Sequence, residues 1–584
     1  MKNAFYLFFV TVLLASCGGM NNSTGGSRKA NGGVYYGGVF RMNEVEDFRN
    51  LYPLNVTEIT SQHIASQVYE GLVKLSQSDL SILPSLAEKW EKNSDASQWT
   101  FHLHKGVKFH DDLCFSGGNG KGREVTAKDF AYCFEKLCTA GPENQQFAAT
   151  FKDKVVGANE FFQSTEVNQP LKEGVSGVKV IDDYTLQINL LYPLAGFLNI
   201  LSTPGCWVYP KEALEKYGVE MRAKCVGTGP FQVKSIKEGE VVILERNPNY
   251  WDVDEFGNNL PYMDALKITF IKEKKSELLE FKRGNLDMVF KIPVEMISDI
   301  LGKLEHAHEA NAPFDLQVNP AMSIFFYGFQ IQSDIFDKKE VRLAFNHAID
   351  REKIVTYTLQ GEGVPGIYGI VPPSFKEYDV KKLKGYTFDI DKARKYLAAG
   401  GYPNGKGFPK LTLQINSGGA ERNIQTAEVI QKMLKENLNI DIELNVLPFA
   451  EHLERLETGK TLFWKTGWSA DYPDPETFLT LLYGKNIPKK ASDKSYLNVS
   501  RYKSAKFDSL FSKGMQEVDP KKRMDLYLQA DQVAIDDGAI MPIFYEENYR
   551  LVQINVKNFD ANAMEYRDMT RVYFVPQSQI QKLN

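Results

Sequence analysis

Only one stretch of this chain is apolar enough to enter a membrane, and it is too short to cross one. In "MKNAFYLFFVTVLLASCGG" the run from Ala4 to Leu14 follows a single positive charge at Lys2 and ends in small residues before Cys17. That is about half of the ~20 residues a spanning helix needs, so residues 1–16 are expected to be a secretory signal peptide that is removed on export. No second long apolar run follows. The rest of the chain must therefore bury its apolar side chains in cores of its own, outside the cytoplasm.

Leu14-Ala15-Ser16-Cys17 resembles the lipobox of bacterial lipoproteins, which implies cleavage before Cys17 and a diacylated cysteine that holds the protein on a membrane surface. Residues 17–33, rich in Gly, Ser and Asn, cannot bury enough surface to fold and read as a tether. The expected location is the periplasmic or extracellular face of a cell-envelope membrane. A hydrophobic content of 43% in 584 residues supports several domains. The net charge of -5 offers no basic stripe for a phosphate backbone, so nucleic acid is not an expected partner. Beyond Cys17 the cysteines are Cys114, Cys133, Cys138, Cys206 and Cys225, an odd number that leaves at least one thiol free in a monomer. Cys133 lies on the apolar stripe Phe130, Cys133, Phe134, Leu137 of a helix, and Cys206 with Cys225 is the expected bridge.

Short strands and helices alternate, giving an α/β chain without internal repeats. Thr126 and Asp129 form a capping box at the start of "TAKDFAYCFEKLC". Residues 182–193 alternate like a half-buried strand, 340–355 carry a helical apolar stripe, and 389–403 end a helix at Gly400 and Gly401. Catalytic patterns fail on inspection. "GWSAD" lacks the second glycine of a nucleophile elbow, "HEANA" and "HLERL" lack the second histidine of a zinc helix, and the glycine-rich "SGGNGKGREV" has no Lys-Ser or Lys-Thr opening a helix, so it reads as a surface loop. In "WTFHLHKGVKFHDD" the residues His102, His104, His110, Asp111 and Asp112 could converge on a metal. The simpler reading is a strand with Phe101 and Leu103 inward and the histidines solvated. A secreted metallohydrolase is thus a remote alternative; no cofactor, metal or catalytic residue is expected.

Nine segments together resemble the family 5 extracellular solute-binding proteins, the peptide-binding subunits of ABC importers. They are "HIASQVYEGLVKL", "LPSLAEKWE", "WTFHLHKGVKFHDD", "REVTAKDFAYCFE", "VGTGPFQV", "ERNPNYW", "VRLAFNHAIDREKIV", "ARKYLAAGGYP" and "GWSADYPDP". The resemblance implies two α/β lobes of the periplasmic-binding-protein type joined by hinge strands, with an extra domain in the N-terminal lobe. Domain I would comprise 34–72, 178–321 and 550–584, domain II 73–177 and domain III 322–549. It also implies a monomeric receptor that captures a peptide between its lobes and passes it to a permease with ATPase subunits. The same scaffold serves metal chelates, haem, sugars, glutathione and signalling peptides.

Within "GWSADYPDP" the two carboxylates separate. Asp474 stands before Pro475 as a helix cap would, a place where asparagine should serve almost equally well. Asp471 has no capping task and follows the strand-like "TLFWKTGW". By the resemblance Asp471 pairs with the ligand's α-ammonium, and the backbone of Gly467, Trp468 and Ser469 adds the peptide as a strand. Trp468 walls the pocket, Lys465 stands near the peptide carboxylate, and the segment Thr57 to Ile59, centred on Glu58, lies opposite.

Overall fold

The computed structural model describes residues 27–291, 296, 314–417, 420–488, 490, 493–495, 497–576 and 579; the signal peptide and Cys17 lie outside them. Two strands organise the molecule. Phe314–Phe329 and Ile540–Gln553 run antiparallel over almost their whole length, roughly 50 Å at ~3.3 Å per residue. The first half of Phe314–Phe329 is largely solvated, whereas "AMSIFFYGF" at its end is almost continuously buried, as expected of a strand covered on both faces. The register slips between Pro320 and Ile324, so Ala321, Met322 and Ser323 face Glu546 alone. Ser323 Oγ donates to Glu546 at 2.6 Å across this bulge.

Different neighbours flank the two halves of the pair. Met288–Phe290 joins residues 550–552, whereas Phe463–Ser469 joins Ser323 to Phe329, followed by parallel Leu411–Asn416 and Ile442–Leu447. The chain thus crosses between two lobes on both strands. One hydrophobic cluster gathers Phe40, Leu72, Phe101, Phe130 and Leu244 with Val552, Phe559 and Met569 from the C-terminal segment. Two others gather Phe326, Phe478 and Tyr527 and Phe329, Phe345 and Leu413.

Local chemistry explains the elements. Asp129 accepts from the Thr126 amide at 2.8 Å, completing the capping box of Ala127–Leu137, and Ile390–Ala399 stops at Gly400, with Gly401 at φ 95°. The helix expected over 340–355 is broken instead. Lys339–His347 ends at Ala348, and Asp350 caps a new turn by accepting from Lys353 N. Buried Arg351 pins the break, donating to Pro542 O and Asn346 O. The expected Cys206–Cys225 bridge is absent and all five described cysteines are free. Cys206 is buried in the turn Pro204–Cys206, while the Cys225 thiol sits against the Tyr69 hydroxyl. Val178–Asp182 and Thr185–Asn189 share one sheet with Ala87–Lys92 and Gln98–Leu103, so the expected boundary at 177/178 falls among strands of a single sheet.

A buried ion network ties the C-terminal segment down. Arg567 donates to Glu44 at 2.5 Å and to Glu565 at 3.4 Å, Arg550 donates to Glu565 at 3.2 Å, and His63 shares Glu44 at 2.9 Å. Burial by itself raises the Glu44 carboxyl, but Arg567 and His63 outweigh it and hold it down to about 2. Arg567→Met keeps the apolar stem and strands Glu44 without its main cation. It should lower unfolding stability by about 3–5 kcal/mol, read as a fall in the urea midpoint at unchanged m-value.

Candidate ligand-binding site

Phe463–Ser469 is paired on both sides only at its start. Leu411–Asn416 reaches it at Phe463 and Trp464, and the carbonyl of Lys465 is taken by His452 Nε2 at 3.0 Å. Ala470 N donates to Met322 O at 2.9 Å. In that antiparallel register Thr466 and Trp468 also bond toward residues 322–326, and the N–H and C=O of Gly467 and Ser469 point to the outer edge. Both residues are exposed. The result is a short edge whose outward backbone groups have no strand beside them among the described residues.

Asp471 sits just past this edge. Its amide donates to Thr477 Oγ1 at 3.3 Å and its Oδ2 accepts from the same hydroxyl at 3.1 Å. No basic side chain lies within ion-pair distance among the described residues. Asp471 is exposed to solvent on the side of a partly open cavity also lined by Gln62, Tyr69, Glu70, Lys74, Trp207 and Asp568, with dense protein around the rest of it. Burial pushes its carboxyl up to about 6; the Thr477 hydrogen bond opposes this and the Glu476 charge adds to it. The fold has built an anionic group with one hydrogen bond and no counter-charge.

Asp474, three residues on, is the opposite case. It caps the following turn, accepting from Glu476 N at 2.9 Å, and is gripped by both terminal nitrogens of Arg523 at 2.7 and 2.8 Å in a buried bidentate pair. The expectation that asparagine would serve there fails, since it cannot satisfy a buried guanidinium. Tyr472, between the two carboxylates, is buried in the cluster of the first lobe, and its hydroxyl donates to Glu476.

The remaining expected residues scatter. Trp468 is half-buried against the second-lobe cluster, its indole N–H 3.4 Å from Thr477 Oγ1. Lys465 is buried over the Phe325 ring and donates to Asn416 at 3.0 Å; desolvation lowers its ammonium to about 8, against the attraction of Glu546. Glu58 caps Ile59–Ala65 and accepts from Ser61 N at 2.9 Å; it does not line the cavity, although Thr57 and Ile59 beside it are exposed. The histidines of 102–110 diverge. His102 is beside Glu91, His104 packs at a tilt against Trp251, and buried His110 bonds to Gly229 O at 2.8 Å.

The model of the family 5 bacterial extracellular solute-binding proteins (middle region) matches residues 81–490, well over half of the chain. The chain belongs to this family. It is 26% identical over 518 residues to the periplasmic oligopeptide-binding protein OppA of Escherichia coli K12, covering 88% of each chain. It is 25% identical over 522 residues to heme-binding protein A of Haemophilus influenzae, again covering 88% of each. Among solved structures it superposes with a TM-score of 0.76 and 25% identity on the periplasmic binding protein DppA of Helicobacter pylori in complex with the peptide STSA, covering 92% of this chain and 98% of that one.

Two charged groups of this family 5 protein escape a reading of the sequence. Lys74 pairs with Asp568 at 3.1 Å from 494 positions away, and no local pattern reports such a pairing. Near Lys465, Arg422 donates to Glu362 at 2.9 Å with its Nε and Nη2 buried and without a partner among the described residues, and Glu546 is close enough to act on both.

The contrast between the two aspartates is testable without any ligand. Asp474→Asn should lower unfolding stability by about 3–5 kcal/mol. Asp471 acts in reverse: its folded pKa lies above the unfolded value, so the stability it confers is full below 3.8 and is lost as pH rises to about 6. At pH 7 Asp471→Asn should therefore match or exceed the wild-type unfolding midpoint, and a loss comparable to that of Asp474→Asn would refute this assignment.

Proposed function

We propose that this protein is a lipid-anchored receptor that closes two lobes on a peptide outside the cytoplasm and delivers it to an ABC permease driven by ATPase subunits. The observation that carries the reading is Asp471, an exposed carboxylate with no cation in ion-pair range among the described residues, directly beyond a strand edge that no described strand covers. A receptor for many peptides must recognise what every peptide has, its ammonium and its backbone. Asp471 offers the counter-charge and Gly467 to Ser469 offer the strand. Lys465, with a positive surplus shared with Arg422 and Lys291, suits a terminal carboxylate, and Trp468 suits a pocket wall. Relatives named as oligopeptide-binding and dipeptide-binding proteins support a peptide; the relatives named for heme and glutathione keep those ligands as the competing outcome.

The lobe division is read as 34–72, about 190–321 and 550–584 against 322–549, with the inserted domain carried on to about 189 because of its shared sheet. Cys17 is read as the acylated anchor and residues 17–33 as the tether.

Asp471→Asn keeps the shape and removes the charge. Loss of one member of an enclosed charged pair is worth about 2–5 kcal/mol, or roughly 30-fold to several thousand-fold in Kd. Calorimetric titration with free and N-acetylated peptides checks it. Acetylation should weaken wild-type binding by a similar factor and add little to the mutant's loss, and equal binding of acetylated and free peptide by the wild type would exclude Asp471 as ammonium receptor. For the anchor, Cys17→Ser should abolish metabolic labelling with palmitate; persistent labelling would refute it.

A further inference from the structure

We propose that the loop 252–259 rests on the membrane: Phe256 and Val253 enter the headgroup layer of the bilayer that holds the lipid on Cys17, and Arg28 and Lys29 meet its phosphates, so that the receptor stands in one orientation. The inference rests on the reading of Cys17 as the anchor. Arg28 is eleven residues from Cys17, and eleven residues reach at most ~40 Å. A folded body of this length is about 60 Å across, so the side on which Arg28 lies is kept against the bilayer. Arg28–Lys29 pairs with Tyr35–Tyr36, so the end of the tether is already fastened to the body. It is fastened beside this loop, since Asn31 donates to Asn258 Oδ1 at 3.1 Å and accepts from Asn258 Nδ2 at 3.1 Å.

The loop is built with its polar groups inward and its apolar groups outward. Buried Asp254 accepts from Phe256 N at 2.9 Å, Asn258 N at 2.7 Å and the Tyr262 hydroxyl at 2.5 Å. Gly32, at φ 73°, passes so close to the Phe256 ring that a Cβ there would lie 2.3 Å from it. With the backbone fixed in this way, Phe256 is left 48% and Val253 47% exposed. Single exposed apolar residues are ordinary; two on one fixed loop, next to the point where a lipid tether joins the body, mark a surface for an apolar partner. The surroundings suit a bilayer interface. Tyr36 packs edge-on against Tyr262 and Tyr262 against Tyr573, and the half-buried Tyr36 and Tyr573 present the amphipathic rings that settle at headgroup level. Arg571 pairs with Glu255 at 2.8 Å and so covers the acid at the loop tip. Arg28 and Lys29 are exposed and have no ion pair among the described residues, which leaves them for lipid phosphates.

The test uses the protein isolated with its lipid and reconstituted into vesicles of phosphatidylcholine and phosphatidylglycerol, with acyl chains either plain or brominated near the headgroups. The six native tryptophans set the background emission. In Phe256→Trp, with Val253→Trp as the second position should the first not fold, the added emission should fall roughly twofold or more in the brominated vesicles. In Ile181→Trp, equally exposed but on Val178–Asp182 of another sheet, it should not change. Replacing Arg28 and Lys29 together by glutamine should lessen the quenching at position 256, and undiminished quenching would overturn their contact with phosphate. If the wild type sediments with the vesicles but the loop tryptophan is quenched no more than the one at position 181, the resting surface is wrong and the anchor stands. If the wild type does not sediment with the vesicles, the reading of Cys17 fails and takes this one with it.

Discussion

The pairing of Phe314–Phe329 with Ile540–Gln553 is the constraint on which the rest of the molecule depends. Each strand belongs to both lobes, so the backbone hydrogen bonds that hold them together also fix where the lobes meet. Phe463–Ser469 finds its place by pairing with the buried end of the first strand, and this sets the height of Asp471. From the second strand the chain runs on through Arg550 into the segment that carries Glu565, Arg567 and Asp568, and this sets the opposite wall of the cavity. The slipped register at 321–323 lies between the two halves. A bulge of this kind bends a strand and raises its local twist, so a rotation concentrated there would draw Asp471 away from Lys74 and Asp568 while leaving both lobes intact.

What could be read from the sequence was the chemistry that acts over a few residues. Thr126 and Asp129 satisfy each other three positions apart, Gly400 and Gly401 stop a helix by backbone freedom, and Phe101 and Leu103 alternate with solvated neighbours. Each is a local preference that the tertiary structure had no reason to override. The α/β class and the order of family segments followed from many such pieces in register. The broken helix at Asp350 marks the limit: the apolar stripe of 340–355 is real, but the buried Arg351 takes its partners from Asn346 and from Pro542, in the long strand, and a stripe says nothing about them.

The site shows the same division more sharply. The motif "GWSADYPDP" pointed to both aspartates, and the strand before them was legible as an apolar run. Their energetics were not. Asp474 is structural because Arg523, 49 residues later, reaches it with both nitrogens; by local rules it was only a replaceable cap. Lys465 was expected near the peptide carboxylate by resemblance alone, and nothing local told that it is buried over Phe325. In both cases the deciding partner comes from a distant segment, where sequence spacing carries no information.

Two carboxylates three residues apart therefore end in opposite electrostatic states, and the role proposed for Asp471 rests on that difference. The fold gives Asp474 a full counter-charge and so uses it to fasten the turn. It gives Asp471 one hydroxyl and no cation among the described residues, so the ionised form stays under-compensated in a place where desolvation raises its carboxyl. A group left in that state weakens the unliganded fold at neutral pH and gains most from whatever cation enters. Supplying Asp471 with an internal arginine would make the protein more stable and, on the function proposed above, would remove the reason for a ligand ammonium to bind. On that proposal the stability forgone at Asp471 becomes available on binding, held in reserve because Asp474, Arg523 and the network around Arg567 secure the surrounding structure without it.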